Sequence, residues 1–200
     1  MRKLLIVLAL LAFATAAFAG NVVIINYTGT GSNSWGGVAT YPYNGTANGV
    51  PEDFMCIGYN EHITTPESWQ ATQYSVAGYG ALIGDSLKAQ QLAFFYLMAK
   101  SGDNGANPAA WYLNEGAPDL TSDPNGALND YSVISNIHVF NPAYFNGISF
   151  FVPTGNDAGW TDGVPQAFEG STVTPEPSTL ITLGTGLLGL AGLARKRWTA

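Results

Sequence analysis

Basic residues are the first thing this sequence is short of. Seven Lys and Arg stand against fourteen Asp and Glu in 200 residues. Five of the seven sit at the extreme ends, as Arg2, Lys3, Arg195, Lys196 and Arg197. Between Glu52 and Glu176 only Lys88 and Lys100 face all fourteen acids, a net charge of −12. A surface that acidic repels DNA, RNA and anionic lipid headgroups, which excludes nucleic acid as a partner. Cysteine is nearly absent too. The one thiol, Cys56, excludes an internal disulfide. It is either a small buried hydrophobe or a sharper group: a reactive thiol, an intermolecular disulfide partner or an acylated side chain. Histidine occurs twice, at His62 and His138, too few and too far apart to argue for zinc. No metal or other cofactor is expected.

What is present is concentrated at the two ends. Arg2 and Lys3 precede an almost wholly apolar stretch from Leu4 to Phe13. Small residues follow, ending in Ala17-Phe18-Ala19 before Gly20. That is the layout of a cleavable secretory signal helix, cut after Ala19, with Ala17 and Ala19 as the small residues of the signal-peptidase site. It implies signal peptidase and the Sec export machinery as partners. At the other end, residues 180–194 contain no charge. With Ser178, Thr179 and Trp198 the run approaches the ~20 residues that a transmembrane helix needs. Arg195, Lys196 and Arg197 then form a stop that stays cytoplasmic, leaving the rest of the chain outside. Pro175-Glu176-Pro177 precede the run, and proline's fixed φ and missing N–H keep that stretch extended.

Pro175-Glu176-Pro177, an apolar helix and a basic cluster, in that order and behind an N-terminal leader, resemble the PEP-CTERM sorting signal. The resemblance implies an exosortase, a multi-pass membrane cysteine peptidase or transpeptidase, as partner. It implies cutting near Pro175–Pro177, then release or transfer to the outer surface of a Gram-negative bacterium that makes exopolysaccharide. The expected organisation is a signal peptide at 1–19, an exported β-rich domain at 20–172, a linker at 173–179, a transmembrane helix at 180–194 and a basic cytoplasmic tail at 195–200.

The exported part is rich in Gly, Asn, Thr and aromatic residues, which favours strands and turns. Strands are expected at 21–27, 38–43, 53–59, 134–140, 148–152 and 165–169. The turn Asn48-Gly49 joins two of them, a glycine-rich turn region covers 28–37, and an exposed turn carrying Trp69 covers 66–73. In the strand at 53–59, Phe54 and Cys56 share one face. Residues 86–100 lack Gly and Pro and are apolar on most sides, which predicts a largely buried helix. A second helix is expected at 107–114, with Asn107 as N-cap and Pro108 at its first position. The expected fold class is α+β, mainly antiparallel β in a sandwich or barrel-like arrangement, with two helices inserted mid-domain.

Several chemistries can be weighed on the residues. Cys56 and His62 lack a third orienting group for a cysteine hydrolase. An EF-hand register over 121–132 puts Ser132 where the bidentate carboxylate belongs. Trp35, Trp69 and Trp160 would suit sugar stacking or serve as sheet filler. The cysteine-bearing strand, Ser68-Trp69-Gln70-Ala71-Thr72, the helices around Phe94 and Trp111, and Pro165-Gln166-Ala167-Phe168 resemble a group of PEP-CTERM proteins. That group is similar to the thioester domains of Gram-positive surface adhesins. The resemblance implies a covalent link between a cysteine and the glutamine of a Gln-x-Ala-apolar-Trp pattern. Here Asn107-Pro108-Ala109-Ala110-Trp111 has Asn in place of Gln, and Gln91-Leu92-Ala93-Phe94-Phe95 has Phe in place of Trp. The candidate thioester residues are therefore Cys56, Asn107 and Gln91. The expected function is a non-enzymatic, exported surface or matrix protein of biofilm, floc or exopolysaccharide, with extracellular polysaccharide as a possible partner. It is anchored in the inner membrane, domain outward in the periplasm, until processed. The alternative is a Cys56-dependent covalent adhesin or a secreted enzyme.

Overall fold

The structure, a computed structural model, describes residues 20–60, 67–121, 123, 126–154 and 167–171. They belong to a compact unit spanning Gly20–Thr172. The expected signal helix, the linker at 173–179, the membrane segment at 180–194 and the basic tail lie outside the described residues, as do His62 and Trp160. Among the described residues no helix is long and apolar enough to cross a membrane.

Six antiparallel strands close into a barrel. They are β1 (Asn21–Thr30), β4 (Tyr43–Ala47), β5 (Val50–Cys56), β8 (Phe168–Gly170), β7 (Ser149–Pro153) and β6 (Glu67–Ser75), in that order around the wall. A two-stranded hairpin of β2 (Ser34–Trp35) and β3 (Val38–Ala39) stands apart from it. The β4–β5 connection is Asn48-Gly49, with φ of 50° and 79°. Two consecutive left-handed residues give a turn whose twist matches the flanking strands, and Asn-Gly tolerates it best. Closure gives each of these six strands a neighbour on both sides.

Strand alternation sorts the side chains into two cores. Val23, Ile25, Tyr27, Tyr43, Phe54, Cys56, Trp69, Phe151 and Phe168 fill one cluster, on the inner face of the wall. Met55, Ile57 and Phe150 point the other way, into a second cluster shared with the helices. The strand pleat alone accounts for the division, because successive residues on β5 and β7 face opposite sides. Cys56 does share a face with Phe54, as its spacing predicts.

Four helices, not two, occur among the described residues: α1 (Val76–Ile83), α2 (Ser86–Lys100), α3 (Ala106–Glu115) and α4 (Ala127–Ser135). A 3-10 turn follows at Pro142–Phe145. α2 is capped by Asp85, whose carboxylate accepts from the Lys88 N–H at 2.9 Å, and it is largely buried as expected. α1 escapes sequence reading because Gly78 and Gly80 depress its helix propensity. It forms because Ser75 caps it and because it packs on α2. α4 replaces the start of the strand expected at 134–140, and no strand occupies 136–140. It buries Ala127, Asp130 and Ile134, which recur at helical spacing.

Three further expectations are corrected. Residues 67–75 are a barrel strand, and Trp69 on it is 2% exposed. The strand expected at 38–43 is split between β3 and β4. The glycine-rich turn region at 28–37 instead holds the end of β1, the strand β2 and the glycine turn that leads to β3. The last strand runs Phe168–Gly170.

Candidate functional site

Around the end of β5, one face of α3 meets the main chain of residues 56–60. The Cys56 carbonyl accepts from Asn107 Nδ2 at 2.8 Å and from Trp111 Nε1 at 2.9 Å. The Ile57 carbonyl accepts from Asn114 Nδ2 at 2.9 Å. Glu115 Oε2 accepts from the N–H groups of Tyr59 and Asn60 at 3.1 and 3.2 Å, and from Asn60 Nδ2 at 2.8 Å. The Tyr59 and Trp111 rings lie 5.4 Å apart. Residues 107, 111, 114 and 115 have the spacing of a single helical stripe, so one face of α3 supplies every donor and acceptor.

Asn107 is not the N-cap of α3. Gly105 holds that position, and the helix has already begun at Ala106. Freed from capping, the Asn107 amide reaches outward in two directions. Its Nδ2 donates to the Cys56 carbonyl, and its Oδ1 accepts from the Tyr41 N–H at 2.9 Å. The amide thus joins three segments: the end of β5, the chain entering β4, and α3. Asn107 is 1% exposed, so these bonds are made where an unmet polar group is costly.

The structure brings Cys56 and Asn107 together but engages the Asn107 amide through main-chain partners. Cys56 is fully buried, and its thiol donates to the Gly58 carbonyl at 2.9 Å. Acyl transfer from Asn107 to that sulfur would expel the Nδ2 nitrogen as ammonia and abolish the bond to the Cys56 carbonyl. Gln91 is placed elsewhere. Its Nε2 donates to the carbonyls of Ile134, Ser135 and Ile137 at 3.2, 3.4 and 3.2 Å. Ile134 and Ser135 are the last residues of α4 and Ile137 lies just beyond it, so the Gln91 amide ties α2 to the C-terminal end of α4.

A second polar cluster joins the β2 hairpin to α4. Trp35 Nε1 donates to Asp123 Oδ1 at 2.7 Å. Burial lifts the Asp130 carboxyl to about 6, with the neighbouring carboxylates of Asp103 and Asp123 adding to it. Among the described residues no group of three His, Cys, Asp or Glu side chains is arranged to hold a metal ion. His138 is exposed. Trp35 and Trp69 are buried at 8% and 2%, so both serve as filler and neither presents a ring to a sugar. The roles of Asn114 and Glu115 went unread in sequence. Their signal is the spacing from Asn107 and Trp111, which becomes meaningful only once the partner strand is known.

Comparison with known proteins gives one match. Residues 173–197 match the PEP-CTERM protein-sorting motif. The motif implies an exported protein that an exosortase processes and that is membrane-anchored before processing. No curated protein and no solved structure matches the chain.

Proposed function

We propose that this chain is a non-enzymatic cell-surface or matrix protein of a Gram-negative bacterium, acting in biofilm, floc or exopolysaccharide. The sorting motif at 173–197 carries the reading. The charge of the exported part supports it, because an acidic, lysine-poor surface stays soluble and avoids nucleic acid and anionic membrane. The buried, hydrogen-bonded state of Asn107 and Cys56 also supports it, since both side chains act as fasteners for the barrel. Sorting is tested by replacing Pro175, Glu176 and Pro177 with alanine. The full-length form then accumulates in the inner membrane and the shortened, surface-located form is lost. Unchanged processing would overturn the reading.

The contact between Asn107 and Cys56 keeps a second reading in view, a covalent adhesin of the thioester type. Intact mass spectrometry of the exported protein separates the two. The non-enzymatic reading expects the mass of the unmodified sequence and no methylamine adduct. A mass lower by one ammonia, with a thiol that methylamine unmasks, would replace it with the covalent one.

A further inference from the structure

Glu169 is the most anomalous group in the fold. It lies in the middle of β8, the three-residue strand that closes the barrel between β5 and β7. It is 0% exposed, and neither carboxyl oxygen has a hydrogen-bond partner among the described residues. In register it sits between Met55 on β5 and Phe150 on β7. Both are fully buried in the cluster shared with the helices, so the carboxyl opens into an apolar layer.

The polar groups around it are committed elsewhere. From α2, the Tyr96 hydroxyl donates to the Asp53 carbonyl at 3.3 Å. Lys100 Nζ donates to Ser171 Oγ at 2.8 Å and lies 5.8 Å from the centre of the Tyr96 ring. From β5, Glu52 Oε2 accepts from the Ser171 N–H at 3.0 Å. Tyr41 packs its ring edge-on to Tyr96, with centroids 5.9 Å apart. Of these, only Lys100 is a cation, and it does not reach Glu169. β7 contributes Phe150 and no titratable group at this position.

We propose that β8 is a proton-operated latch. The strand holds the barrel shut while the Glu169 carboxyl is protonated and neutral, and it loosens when the carboxylate forms. An unpaired carboxylate in an apolar layer is among the most costly groups a fold can contain, whereas the neutral acid is tolerated. Burial accordingly holds the carboxyl well above its usual range. The relief available to the ionised form is to move β8 outward, and three residues of ladder oppose that movement. β8 is also the last element before the sorting motif in sequence, which begins at residue 173. The latch therefore acts on the described strand that lies nearest in sequence to the sorting motif.

The test compares full-length wild type with Glu169→Gln, a neutral side chain of the same shape. Both are studied in detergent by hydrogen exchange of the 168–170 segment, corrected for intrinsic rate. Between roughly pH 5 and pH 9, wild-type protection at 168–170 falls by about tenfold or more, while protection in β1 falls less. In Glu169→Gln the 168–170 protection stays level over the same range. The latch is overturned if the Gln variant loses protection in parallel with wild type. It is equally overturned if wild-type β1 and β8 loosen together or neither loosens. Should Glu169→Gln fail to fold, the wild-type comparison of β8 with β1 still decides.

Discussion

Asn107 shows how much one side chain holds together. Its amide satisfies the half-buried Tyr41 N–H and gives the buried Cys56 carbonyl one of its two donors. Asn107→Ala leaves the half-buried Tyr41 N–H without that acceptor and the buried Cys56 carbonyl with one donor fewer, which costs about 1–3 kcal/mol. Urea unfolding followed by tryptophan fluorescence measures this, and a loss below about 0.5 kcal/mol would deny Asn107 the fastening role. Asp130 is a second residue whose behaviour can be checked. Its folded carboxyl titrates near 6 because burial, then Asp103, disfavour the charge. The unfolded chain releases that proton near the ordinary value of 3.8. The folded state holds the extra proton between those values, so stability is full below 3.8 and drains as pH rises to about 6. Asp130→Asn flattens that part of the stability-against-pH curve, as thermal melting at several pH values would record. Both residues were visible in the sequence. What was not visible was their partners, because Asn107 pairs with positions 66 and 51 residues away.

Among the elements, α1 is the one that tertiary contact makes. A Cβ placed on Gly80 would sit 2.8 Å from the Ser86 Cα and 3.3 Å from the Ala89 Cβ. The helix therefore approaches the start of α2 so closely that only glycine fits. Gly80→Ala improves local helix propensity by up to about 1 kcal/mol yet destabilises the protein, by roughly 1–3 kcal/mol of overpacking. At Gly78 the nearest atom is the Ser75 hydroxyl oxygen, at 3.3 Å. Gly78→Ala therefore costs less than Gly80→Ala, and an equal loss in chemical denaturation of the two variants would contradict this packing account. α2 was legible because it lacks Gly and Pro and its apolar residues run without interruption. α1 and α4 were not, since their glycine, asparagine and β-branched content argues against a helix until a neighbour pays the difference. Trp69 failed in the opposite direction. Its polar companions Glu67, Ser68 and Gln70 suggest a surface turn, but in a strand the exposed Ser68 and Gln70 simply alternate with the buried Trp69 and Ala71.

For the whole molecule, charge is the governing quantity. Two lysines against the acids of the exported part produce self-repulsion that the folded state concentrates. Raising NaCl shortens the screening length to ~3 Å at 1 M, so the melting temperature is expected to rise with salt. A melting temperature that falls steadily with NaCl would show that attractive surface pairs outweigh the repulsion. The same charge predicts no retention on a DNA or heparin column at low salt.

Composition and local pattern determined what depends on neighbours in sequence. They established the sorting signal at 173–197, the acidic character, the Asn48-Gly49 turn and the long helix α2. Each is decided by a short run of residues acting on its own backbone or read directly by a processing enzyme or solvent. Tertiary structure alone decided that the strands close into a barrel, that α1 and α4 are helices, and that Asn107 fastens Cys56 rather than caps a helix. It also decided that Glu169 is buried without a hydrogen-bond partner among the described residues. These outcomes rest on contacts between residues far apart in sequence, and the free energy of burying a group is set by what surrounds it rather than by what precedes it.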